Sequence, residues 1–273
     1  MRFKTLTLIL AACWIGLPLP AEIGDLAQKG REILKKNQHA VVTVPVVLKL
    51  SSGGGGGQSR EYKQEITGTV VDPSGLTVVA LSACDPTEMS RRVSPENKMD
   101  SEVTDIKILL DDGTELSSEI VLRDKDLDLA FLRPKTKPSS PMTAVDLSKS
   151  GTAQVLEDVI TLNRLNKAVS RAYSASTEQI SAVIQKPRTF YVPDSGMSTT
   201  TLGCPAFLPD GKVVGIFVMR AVSGGSGNYR ENLSSIILPA EDVLKAAKQA
   251  PEAKGDGEKK EDSKPPEASS DKK

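Results

Sequence analysis

Residues 105–133 read DIKILLDDGTELSSEIVLRDKDLDLAFLR. Three runs, VTDIKILL (103–110), SEIVLRD (118–124) and LDLAFLR (127–133), are short, apolar and β-branched, as strands are. Asp-Asp-Gly at 111–113 stands between the first two, and a tight turn flanked by alternating apolar residues predicts a hairpin.

The same punctuation recurs on both sides. DPSG (72–75) has Pro and Gly where a type I turn prefers them, and PDG (209–211) precedes the apolar run KVVGIFVMR. AVVTVPVVLKL (40–50), EYKQEITGTVV (61–71) and EQISAVIQK (178–186) add further strands. Many short strands at regular spacing predict an all-β sandwich or barrel protein. SSGGGGGQSR (51–60) is a flexible loop by composition. PKTKPSSP (134–141) divides the strand-rich region into two halves. The expected organisation is a first β unit over 40–137 and a second over 138–250.

Helical patterns flank this core. IGDLAQKGREILKKN (23–37) has an approximate helical apolar stripe, which places a short helical segment over 22–39. PAEDVLKAAKQA (239–250) opens on Pro, carries acids in its first turn and lysines later, and so reads as a closing helix. Residues 251–273 offer no large apolar residue to bury and are expected to be disordered.

The N-terminus reads as an export leader over 1–21. Arg2 and Lys4 precede LTLILAACWIGLPLPA, an apolar stretch broken by Pro18 and Pro20 and too short to span a bilayer. Cleavage after Ala21 and release to a periplasmic or extracellular space is the first expectation. LAAC, ending at Cys13, resembles a lipoprotein signal, and lipid anchoring through Cys13 is the alternative.

Composition excludes some functions. Lys plus Arg and Asp plus Glu both number 35, and aromatic residues make up 4 %. There is neither a basic stripe nor a stacking platform for nucleic acid. No paired-cysteine zinc spacing or phosphate-binding loop occurs, and no cofactor or metal is expected.

Four segments, in order, resemble the HtrA/DegP-type branch of the trypsin-like serine proteases. They are GTVVDPSGLTVVALSACDP (68–86), the 105–133 stretch, TTTLGCPAFLPDGKVVGI (199–216) and LSSIILPAEDVLKAAKQ (233–249). The resemblance implies two packed six-stranded β-barrels with the active site in the seam. It also implies where the catalytic groups should be. Ser82 occupies the histidine slot, Asp128 the aspartate slot and Leu202 the nucleophile slot. The chain after Gln249 is too short for the PDZ domain usual in that branch, so none is expected.

Hydrolysis on this scaffold needs a hydroxyl, an imidazole to take its proton and a carboxylate to orient the imidazole. The sequence has one histidine, His39, well ahead of the slot that needs it. The former oxyanion loop is Thr200, Thr201 and Gly203, with Thr200 where the family has glycine. Catalysis is therefore not expected, and a peptide or protein ligand held by strand addition is the leading reading. An active peptidase with another arrangement, such as Ser82 or Ser198 with a lysine or Cys204 as nucleophile, is the second reading. A purely structural envelope protein is the third. Cys84 and Cys204 each lie two residues past a triad slot. The resemblance brings those slots together, so the two are candidates for a disulfide, with two buried thiols as the alternative.

Overall fold

The computed structural model describes residues 21–52, 59–87, 89, 99–196, 200–222 and 232–253. The leader with Cys13, most of the glycine-rich loop, Ser198 and the charged tail past Ala253 lie outside them. Strands β1 (Val41–Ser52), β2 (Arg60–Val70), β3 (Thr77–Ala80), β4 (Met99–Leu109), β5 (Glu115–Asp124) and β6 (Leu129–Pro134) close one barrel. Its strand order is β1-β2-β3-β6-β5-β4. Strands β7 (Asp158–Arg164), β8 (Tyr173–Ile184), β9 (Phe190–Pro193), β10 (Pro205–Phe207), β11 (Val213–Ala221) and β12 (Leu233–Pro239) close a second, ordered β10-β11-β12-β9-β8-β7. Helix α1 spans Ala21–Asn37, the four-residue α2 spans Leu81–Cys84 and α3 spans Ala240–Ala247.

Local chemistry sets the turns. The Asp72 carboxylate accepts from Ser74 N at 2.8 Å, and Asp112 and Asp210 accept from Thr114 N and Lys212 N in the same way. Gly75, Gly113 and Gly211 follow at positive φ. In α3 the acids Glu241 and Asp242 sit at the positive end of the helix dipole.

Burial explains the apolar runs. β11 is buried on both faces: Val214 and Phe217 point into the second barrel, while Ile216 and Val218 join the core shared with the first barrel and α3. A strand buried on both faces reads as a continuous apolar run, which is why VVGIFVM shows no alternation. The start of the tail is held rather than loose. Arg133 donates to the Pro251 carbonyl at 2.8 Å and pairs with Glu252 at 3.4 Å. No helix among the described residues is long and apolar enough to cross a membrane.

Candidate functional site

The groove between the barrels encloses a cavity of 520 Å³ whose walls include Gln64, Thr67, Ser82, Asn163, Thr200 and Leu202. Ser82 and Leu202, far apart in sequence, therefore face one space. Asp128 lies behind them. It precedes β6 at φ 57 and is buried, with 4 % of its surface exposed.

The Asp128 carboxylate is fully employed. One oxygen accepts Ser82 N at 2.7 Å; the other accepts Ser82 Oγ at 2.8 Å and Met219 N at 2.7 Å. Its own carbonyl accepts Leu81 N at 2.8 Å. Ala80, which leads into α2, supplies no side-chain cap. The carboxylate fills that role from another strand, meeting a helix-start N–H that the helix cannot satisfy. Asp128 thus ties α2, β6 and β11 together where the barrels meet.

Leu202 is 4 % exposed and packs in a small apolar cluster with Ala80, Met89 and Met219, edged by Ala83, Ala221 and Leu233. The loop that carries it is pinned from several directions. Gly203 N donates to Phe217 O at 2.8 Å, and Cys204 N donates to Thr201 O at 3.0 Å. Thr69 Oγ1 donates to Gly203 O at 2.7 Å, and Asn163 Nδ2 donates to Thr200 O at 2.9 Å. Asn163 in turn accepts from Thr67 Oγ1 at 3.1 Å. Gly203 has φ 84, and a Cβ there would stand 2.1 Å from the Thr67 carbonyl oxygen. Only glycine permits this approach of the second barrel's loop to the first barrel's β2.

This frame decides the family. The trypsin-like peptidase domain model matches residues 66–216, more than half the chain, from β2 through the loop that carries Leu202 and into β11. The chain belongs to the trypsin-like peptidase domain family. No curated protein matches it. Among solved structures, the MamO protease domain from Magnetospirillum magneticum, in its apo form, is similar at 16 % identity. That likeness covers 77 % of this chain and 96 % of that one, with a TM-score of 0.48.

Within this trypsin-like peptidase fold the other sequence-derived candidates fall as follows. His39 is held away from the groove, on a separate recess with Asp111, Asp112 and Thr114. Its Nδ1 is 2.5 Å from Asp111 Oδ2 and 3.2 Å from the Tyr173 hydroxyl. Asp111 also accepts from Tyr173 and from Arg164 NH1, the latter at 2.6 Å. Arg164 lies 4.0 Å over the Tyr173 ring. This cluster joins the β4–β5 turn to β7 and β8. The Asp111 carboxyl is below its usual range: burial raises it, but hydrogen bonds from Tyr173, His39 and Arg164 outweigh that.

The disulfide expected as one option between Cys84 and Cys204 is corrected: both are free, buried thiols. Cys84 belongs to the apolar core of the first barrel and Cys204 to the interior of the second. Burial pushes the Cys84 thiol up to about 12 and raises Cys204 further still. Neither forms a thiolate at neutral pH, so neither offers a nucleophile. Among the described residues Ser82 has no lysine or histidine partner, because its hydroxyl is given to Asp128.

Several residues of the site carried no signal in the sequence. Met89 and Met219, which enclose Leu202, lie in no motif. Asn163 sits on β7, a strand the pattern did not reveal. Thr67 just precedes the first family-like segment and Thr69 lies within it, and only their depth in the seam gives them a role.

Proposed function

We propose that this chain is an exported, HtrA-type member of the family that has lost peptidase activity and holds extended peptides in the inter-barrel groove. The observation that carries the loss is the pairing of Ser82 with Asp128 in front of a buried Leu202. An imidazole belongs between those two posts, and a hydroxyl belongs at the second. The carboxylate remains because α2 and β11 hang on it, and that duty does not need the chemistry.

Peptide holding is supported by the edge of β11. β10 pairs with β11 only over Val213–Ile216, whereas β12 continues along the other side to Ala221. Phe217 N donates to Cys204 O on the β10 side, and Met219 N reaches Asp128 on that same side. By strand alternation the Met219 carbonyl and the Ala221 backbone groups face that way too. No strand among the described residues covers them. An extended guest can add there through backbone hydrogen bonds alone.

A fluorophosphonate probe with a casein assay tests the inactivity. No labelling and no cleavage are expected; labelling lost on replacing one serine would overturn it. Fluorescence polarisation with labelled extended peptides tests the holding, and no binding to any pool would favour a structural role. Export is tested by sequencing the N-terminus of chain recovered from the cell envelope. A start at Glu22 is expected, and a lipid on Cys13 marks the anchored alternative.

A further inference from the structure

We propose that the groove selects extended peptides carrying an acidic side chain, which Arg220 and Arg188 receive; this rests on the peptide-holding reading above. A recess of 140 Å³ lies beside the uncovered edge of β11. Met219, Arg220 and Ala221 of that edge line it, with Arg188 from the approach to β9 and Phe190 from its first position. At about 30 Å³ per water it has room for four or so waters, or for one carboxylate side chain in their place.

The two guanidinium groups are poised for an anion. Arg220 is half-buried, and its guanidinium stacks 4.7 Å above the Phe190 ring. Stacking fixes the plane of the fork and leaves its N–H edge open, which lowers the ordering cost of a bidentate carboxylate contact. Neither Arg220 nor Arg188 has a hydrogen bond or ion pair among the described residues. Arg133, Arg164 and Arg171 differ in this respect, for each has its own carboxylate: Glu252, Asp111 and Glu65. Arg220 is partly desolvated and without a counter-ion, which is costly, and a guest carboxylate offsets that cost; Arg188 is exposed and adds a second positive charge at the rim. The one acid on the recess wall, Asp126, comes from the first barrel and is already engaged in an interaction of its own.

Strand addition supplies the register. A guest on the Met219 and Ala221 backbone presents alternate side chains to the same wall, so one of them enters beside Arg220. The acid is then read by position as well as by charge.

The test uses the whole chain and fluorescein-labelled nine-residue peptide pools, each with one central position fixed as Glu, Gln or Lys. Binding is read by fluorescence polarisation. The Glu pool is expected to bind about fivefold more tightly than the Gln pool, the size of a favourable exposed ion pair, and the Lys pool more weakly than either. In the double variant Arg188→Gln/Arg220→Gln the Glu and Gln pools converge, while Gln-pool binding and thermal stability stay near wild type. Equal Glu and Gln binding by the wild type, or a gap that survives in the double variant, overturns the acidic selection alone. Binding of no pool at all overturns the peptide-holding reading, and this inference falls with it.

Discussion

Ser82 and Asp128 are joined twice, through the Ser82 backbone N–H at 2.7 Å and its hydroxyl at 2.8 Å. On the proposed reading, Ser82 of the α2 turn occupies the carboxylate where a catalytic site would hold an imidazole. The carboxylate is an acceptor for the backbone of two elements, Ser82 N of α2 and Met219 N of β11. Removing it takes the partner from Met219 N, which is buried, and from Ser82 N, which is partly buried. Asp128→Ala is expected to lower the unfolding free energy by about 2–4 kcal/mol, from two orphaned donors at about 1–3 kcal/mol each. Urea denaturation checks this; a change under about 0.5 kcal/mol would contradict the structural role.

Gly203 stands where a side chain has no room. Its positive φ and the 2.1 Å approach to the Thr67 carbonyl both oppose a Cβ. Gly203→Ala is expected to cost about 2–4 kcal/mol, more than a left-handed conformation alone. A thermal melt unchanged from wild type would show that the two barrels do not meet this closely.

On the proposed reading, a hydroxyl at residue 202 alone is not expected to support hydrolysis. Leu202→Ser places an oxygen in the cluster of Ala80, Met89 and Met219, with no base in that cluster among the described residues. The lost packing and the buried hydroxyl together are expected to cost about 3 kcal/mol. The variant stays unlabelled by fluorophosphonate. Labelling of this single variant would mean that another group takes the proton.

The cysteines give a chemical readout. Native chain treated briefly with iodoacetamide at neutral pH is expected to keep Cys84 and Cys204 unmodified, because burial raises both thiols. Unfolded without reductant, both are alkylated. A mass showing neither alkylated after unfolding would restore the bridge.

Acid weakens the seam between the barrels. The Arg171 guanidinium lowers the Glu65 carboxyl, and the hydrogen bonds at Asp111 lower that carboxyl despite its burial. Folded values below unfolded ones mean that the stabilisation is present above pH about 4.5 and is lost as pH falls through the folded values. Both pairs are partly exposed, so the effect is modest. Glu65→Gln with Asp111→Asn is expected to flatten the fall of melting temperature between about pH 5 and 3. An unchanged slope would place the acid sensitivity elsewhere.

Much of this protein is written locally. Asp72, Asp112 and Asp210 each accept from a backbone N–H two residues on, so their turns follow from short-range chemistry. The strands beside DDG and the closing helix are equally legible, because side-chain period and end charges act within a few residues. The single histidine and the leucine at residue 202 also needed no fold to be read. Tertiary structure decided the rest. β7 and β9 are strands because neighbours in the second barrel pair with them, and DVITLNR and FYVP look like little alone. Proximity of triad slots suggested that Cys84 and Cys204 could bond, yet separate apolar cores claim the two thiols. Asp128 keeps its place through Ser82 and Met219, one 46 and the other 91 residues away. Such contacts depend on how two closed barrels press together, and the spacing of residues along one chain does not encode that distance.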